Sequence, residues 1–143
     1  MVEELIYQRI LDWVAEDIPF WDVTAKLIPE GCKCRAVIVA KEDGVAACVE
    51  EVAGFLRWVG FDVKLRVPSG SEFKKGDVLV EVEGELRKLL QLERVVLNLL
   101  SHACGVATVT RRAVEAVRRV NPKVKVAATR TVSYTHLRAH ETV

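Results

Sequence analysis

Leu89-Leu90-Gln91-Leu92-Glu93-Arg94-Val95-Val96-Leu97-Asn98-Leu99-Leu100-Ser101-His102-Ala103-Cys104-Gly105-Val106-Ala107-Thr108 is the stretch on which the chain turns. Most of it is apolar, so a helix here is expected to be buried nearly all round. Its polar residues are not scattered. Gln91, Arg94, Asn98, Ser101 and His102 follow i, i+3, i+4 spacing and fall on one stripe. Leu89, Leu92, Val96, Leu99 and Ala103 fall on other faces, where they can pack. An arginine on such a stripe needs a counterpart, because guanidinium keeps its charge and burying it unpaired is very costly. A wet cleft, an anionic ligand or a partner subunit meets that need. So does a core carboxylate, and the stripe by itself leaves both readings open.

Within the stretch, Leu92-Glu93-Arg94-x-x-Leu97-Asn98-Leu99-Leu100-Ser101-His102-x-x-Gly105-Val106-Ala107-Thr108 resembles the central signature of the quinolinate phosphoribosyltransferases. These are the carboxylating nicotinate-nucleotide pyrophosphorylases. The match is long, gap-free and rich in polar identities.

On the N-terminal side, residues 2–16 have the spacing of an amphipathic helix, with Leu5, Ile6, Ile10, Trp13 and Val14 on one face. Glu3 and Glu4 suit its positive end, and Pro19 stops it. The following Glu16-Asp17-Ile18-Pro19-Phe20-Trp21-Asp22-Val23-Thr24 sets three acids around two aromatics. Such acids serve loop backbone more often than metal. The same run resembles the family's N-terminal motif, with Trp21 where the family usually has glycine.

Residues 30–84 are expected to form a small, mostly antiparallel sheet with at least one helix. The strand candidates are Arg35–Lys41, Phe61–Val67 and Val78–Gly84, and the last two alternate cleanly. Val49, Val52, Ala53, Leu56 and Val59 give a helix ending at Gly60. Phe61, Val63, Leu65, Val78, Val80 and Val82 are the expected core contributors. The segment Ser69–Glu83 is similar to the half-motif of biotinyl and lipoyl carrier domains. No Met-Lys-Met or Asp-Lys-Ala tripeptide is present to carry a cofactor. A carrier or interaction module of barrel-sandwich type is the runner-up reading.

On the C-terminal side a helix break is expected near Gly105. A second helix then buries Val106, Val109, Ala113, Val117 and Val120. Lys123–Arg130 reads as a strand ending in polar residues. Thr129-Arg130 matches the start of the family's Thr-Arg-Lys-Thr motif, whose lysine is replaced by Thr131. Val132–Val143 matches nothing expected of the family and resembles translated linker or adapter sequence. His136 and His140 have i, i+4 spacing but no third ligand beside them.

The resemblance implies an α+β architecture in three parts. Residues 1–106 are an N-terminal sheet-plus-helix, barrel-sandwich-like domain. Residues 107–131 are helices and the first strand of a truncated α/β barrel, and 132–143 are a non-native tail. It implies condensation of quinolinate with phosphoribosyl pyrophosphate, with Mg2+, giving nicotinate mononucleotide, pyrophosphate and CO2 in NAD biosynthesis. It implies that Arg94, Thr129 and Arg130 bind substrate, with Arg94 reaching a neighbouring subunit's site in a homodimer or higher homo-oligomer. The missing motifs imply an inactive fragment. A paralogue associated with molybdate transport is an alternative.

Composition agrees with a globular domain: 143 residues, half hydrophobic and 29% charged. Lys plus Arg is 21 and Asp plus Glu 20, a net charge of +1. That balance gives no drive toward nucleic acid or a membrane surface. No apolar run reaches the length of a membrane span, and Met1-Val2-Glu3-Glu4 lacks a basic signal-peptide start. The expectation is a cytoplasmic protein. Cys32, Cys34, Cys48 and Cys104 lack zinc-site spacing and are expected to be buried, reduced thiols.

Overall fold

The computed structural model describes residues 2–17 and 27–127. Its elements are α1 (Val2–Asp17), β1 (Lys33–Val39), β2 (Gly44–Val45), α2 (Val49–Trp58), β3 (Asp62–Leu65), β4 (Glu72–Phe73), β5 (Val78–Glu85) and α3 (Leu86–Val120). Two compact units divide the chain, Met1–Thr110 and Arg111 onward.

In the first unit β5 is the central strand of an antiparallel sheet ordered β1-β5-β3, and β2 pairs with β4 as a separate antiparallel ribbon. One face of the larger sheet is apolar and packs on α2. The other places Arg35 opposite Glu83 and Lys64 opposite Glu81, a solvated ladder of alternating charge. Phe61, Val63, Val80 and Val82 are buried as alternation requires. Leu65 and Val78 are only half-buried, and Leu79 is buried in place of Val78. The cause is a register shift against Ile38/Val39. Such a bulge turns neighbouring side chains out of strict alternation.

The helix α2 buries Val49, Val52, Ala53, Phe55 and Leu56. Its N-cap residue, Cys48, makes no side-chain cap bond. The cap comes instead from Ser69, in the turn after β3. The Val49 amide donates to Ser69 Oγ (3.1 Å), and the Ser69 amide and hydroxyl both donate to the Glu50 carboxylate. These bonds hold the Glu50 carboxyl below its usual range, the hydroxyl being the largest cause. Against α2 lies α1. Tyr7 meets Phe55 and Trp58 in a cluster of tilted rings with centroids 5.8–6.4 Å apart. The tyrosine crosses α2 at Gly54, where an added Cβ would collide with its hydroxyl. The expected α1 face is therefore corrected: Ile10 is in the core, but Leu5 and Ile6 are exposed, and Tyr7 and Leu11 pack in their place.

The helix α3 departs most from expectation. It runs 35 residues without a break at Gly105. One mid-helix glycine costs only about 1 kcal/mol relative to alanine, too little to end a helix whose Leu100 and Cys104 are held in the core. Nor is the helix buried all round. Leu92, Val95, Val96, Leu100 and Cys104 enter the core cluster, while Val106 and Val109 are exposed. Leu89, Leu99 and Ala103 are partly buried, as their spacing requires.

In the second unit Val120 is exposed rather than inward, and residues 123–127 form no strand. A lone strand has no ladder partner, and none of the described strands pairs with this segment. Thr129, Arg130, His136, His140 and the segment 132–143 lie outside the described residues, as does 18–24 of the acid-and-aromatic loop.

Candidate functional site

The stripe on α3 is a surface. Arg94, Asn98, Ser101 and His102 are exposed and Gln91 is half-buried. The Arg94 side chain is 74% exposed, and its Nη1 lies 3.5 Å from Asp17 Oδ1 at the end of α1. That is a surface ion pair whose guanidinium end is open to solvent, the kind that contributes little stability. The core-carboxylate reading therefore falls. Asp17, three residues before Phe20 in the loop motif, gives no sequence signal that it meets a helix so far along the chain.

Local structure holds this helix in place. The Thr108 hydroxyl accepts the Val45 amide (2.9 Å) and donates to the Cys104 carbonyl (2.6 Å). It ties the C-terminal half of α3 to the β2–β4 ribbon. Gly44 makes the approach feasible, since a Cβ there would lie 2.8 Å from the Phe73 ring and 2.9 Å from Thr108 Oγ1. The sequence shows Thr108 only as the end of a motif, and the partner amide is invisible in it. At the other end Arg87 donates to Glu30 Oε1 (3.0 Å) and the Ile28 carbonyl (2.7 Å), fastening the segment before β1 to the first turn of α3.

A groove of about 280 Å³ lies between β1 and α3, lined by Ala36, Ile38, Leu86, Leu89, Leu90 and Leu97 among others. Arg94 is not part of its lining. A mostly apolar groove whose charged lining is one arginine, Arg35, and one acid, Glu93, does not suit a dianionic substrate, because two carboxylates moved there lose hydration with too little cationic compensation. Among the described residues no three His, Cys, Asp or Glu side chains converge as metal ligands. These residues therefore do not fit Mg2+. Nor are the four cysteines uniformly buried: Cys104 is, Cys34 and Cys48 are intermediate, and Cys32 is exposed. No described helix is long and apolar enough to cross a membrane.

Fold and surface together define an α+β domain that displays a cationic polar helix face rather than enclosing a polar cleft. The chain belongs to the quinolinate phosphoribosyl transferase N-terminal domain family, whose model matches residues 22–104. It is 41% identical over 115 residues to a probable carboxylating nicotinate-nucleotide pyrophosphorylase of Methanocaldococcus jannaschii, a match covering 80% of this chain and 40% of that protein. It is 30% identical over 118 residues to the putative pyrophosphorylase ModD of Rhodobacter capsulatus, covering 82% of this chain and 46% of that one. The fold matches that of NadC from Streptococcus pyogenes with a TM-score of 0.79 at 25% identity, over 93% of this chain and 49% of that one. The chain thus spans less than half the length of these relatives.

Proposed function

We propose that this chain is the N-terminal part of a phosphoribosyltransferase of NAD biosynthesis, a carboxylating nicotinate-nucleotide pyrophosphorylase. Its substrates are quinolinate and phosphoribosyl pyrophosphate, and its products nicotinate mononucleotide, pyrophosphate and CO2. The observation that carries the reading is the exposed Arg94 with Asn98 and Ser101 on one face of α3. Guanidinium pairs with a carboxylate through two parallel hydrogen bonds, and quinolinate offers two carboxylates. Arg94 points away from the core, so it is placed to serve an anion held by another surface. That surface is a second subunit's catalytic site, in a cytoplasmic homodimer or higher homo-oligomer. The exposed Leu97, Val106 and Val109 on the same helix support self-association. Thr129 and Arg130 are the proposed substrate contacts on that other surface. Mg2+ belongs to the reaction by family, its ligands being other than the described residues.

The molybdate-associated paralogue is the weaker alternative, with 30% identity against 41%. The carrier-module reading has less support still, since the family match runs through the whole of the half-motif and on into α3.

The test joins residues 1–110 to the remaining part of the M. jannaschii relative and follows nicotinate mononucleotide formation. Such a chimera should turn over, and Arg94→Ala in it should lower kcat/KM for quinolinate at least 10²-fold. That corresponds to about 2.7 kcal/mol of transition-state binding, the size of one lost charged fork. A loss under threefold removes Arg94 from the site. The 143-residue chain alone is expected to bind quinolinate weakly and turn over nothing. Two charged contacts of roughly 1.5–3 kcal/mol each are largely consumed by the ordering cost of binding.

A further inference from the structure

Cys104 is the most buried thiol of the chain, and its sulfur is aimed at the junction between β2 and α2. Its Sγ lies 3.7 Å from the carbonyl oxygen of Ala47, the residue immediately before Cys48. Standard peptide dimensions put the next Cα about 2.8 Å from such an oxygen, so Cys104 Sγ is within about 6.5 Å of the Cys48 Cα. Both residues sit beside the same turn, and both are free thiols. Cys48 holds the N-cap position of α2 in the left-handed region (φ 58°) without using its side chain as a cap. Its sulfur therefore has no role in the helix.

We propose that Cys48 and Cys104 are a redox pair that closes to a disulfide, pinning the middle of α3 to the start of α2. The co-reactant is a small-molecule disulfide of the glutathione class. The more exposed Cys48 thiolate attacks one sulfur of the small disulfide and releases one thiol. The Cys104 thiolate then attacks the mixed disulfide at Cys48 and releases the second. Two cysteine thiols are oxidised, one disulfide is reduced to two thiols, and the two protons pass to the released thiolates. Burial, then the carboxylate of Glu51, the Cys104 thiol and the carboxylate of Glu50, all push the Cys48 thiol up. The first attack is consequently slow at neutral pH, which suits a slow response to oxidative conditions rather than rapid turnover. Closing the long loop between the two residues restricts the unfolded chain. It also fixes the helix that carries Arg94.

Cys32 and Cys34 could give the same mass change by pairing with each other, so the test uses the chain with both replaced by serine. This protein is incubated folded with oxidised glutathione, alkylated, digested without reduction and mapped by mass spectrometry. The expected result is one cross-linked species joining the Cys48 and Cys104 peptides. A melting temperature raised by roughly 5–10 °C should accompany it and vanish on reduction. Cys48→Ser, which changes a half-buried atom and leaves the core intact, should abolish both. If the two peptides are recovered separately, free or each bearing glutathione, the pair does not exist. The same holds if the cross-link forms only after denaturation.

Discussion

Two helices of this domain bury the same number of residues and differ in everything else. α2 spends five of its ten residues on the core. α3 buries five of thirty-five. The short helix has its apolar positions on one face, its N-terminus capped by Ser69, and tilted aromatic rings packed along it. The long helix presents Arg94, Asn98, Ser101 and His102 to solvent and leaves Val106 and Val109 uncovered. A helix that is apolar yet exposed has surface to match something outside its own core. α2 holds this domain together, and α3 displays it.

That contrast sets an order of effects. The largest is expected at the centre of α2. Phe55→Ala empties a fully buried ring site and should cost about 3–5 kcal/mol in denaturant unfolding. A cost below 2 kcal/mol would make α2 no more central than α3. Next comes the polar clasp that Thr108 makes on α3. Thr108→Val leaves the buried Val45 amide without its acceptor and should cost about 1–3 kcal/mol, with Thr108→Ser close to wild type. Equal losses in the two variants would assign the effect to packing.

Glu50→Gln is smaller, about 1 kcal/mol at neutral pH, because the group is exposed. Its pH signature is specific. The folded carboxyl is held below its ordinary value of 4.5, so its contribution is complete above that value and is lost as pH falls beneath it. The gap between wild type and variant should narrow progressively in acid melts as pH falls below 4.5, and parallel curves would exclude the Ser69 bonds as the cause. The smallest effect belongs to the open face of α3. Val109, 65% exposed, should tolerate serine within about 0.5 kcal/mol in the monomer. The same change should weaken self-association measured by sedimentation, and unchanged association would detach that face from any interface.

The contrast also separates what could be read from the sequence. Val63, Val80 and Val82 alternate and are buried. Val49, Val52, Ala53 and Leu56 follow helical spacing and are buried. In both cases the partners lie within this chain and within a short span of it. Where the structure differs from the expectation, the deciding feature is one that periodicity does not encode. Val78 yielded to Leu79 because of a bulge formed with β1. Leu5 and Ile6 yielded to Tyr7 because Gly54 admits its ring. The face of α3 reads as buried from the sequence because hydrophobic periodicity records that a side is apolar, not what covers it. The motif makes Arg94 a candidate, and its exposure is not legible there. Asp17, Thr108 and Ser69 act on residues with no sequence proximity to them.

The most direct test of Arg94 acting in trans is a subunit-mixing experiment on the chimera that carries residues 1–110 with a complete catalytic part. One variant is Arg94→Ala, the other Arg130→Ala at its equivalent position, and each alone should be nearly inactive. Mixed dimers, confirmed by mass spectrometry, contain one site with both arginines intact. Activity near one quarter of wild type is expected from a statistical mixture. Mixed dimers that form and stay as inactive as either parent would show that Arg94 serves its own subunit or none.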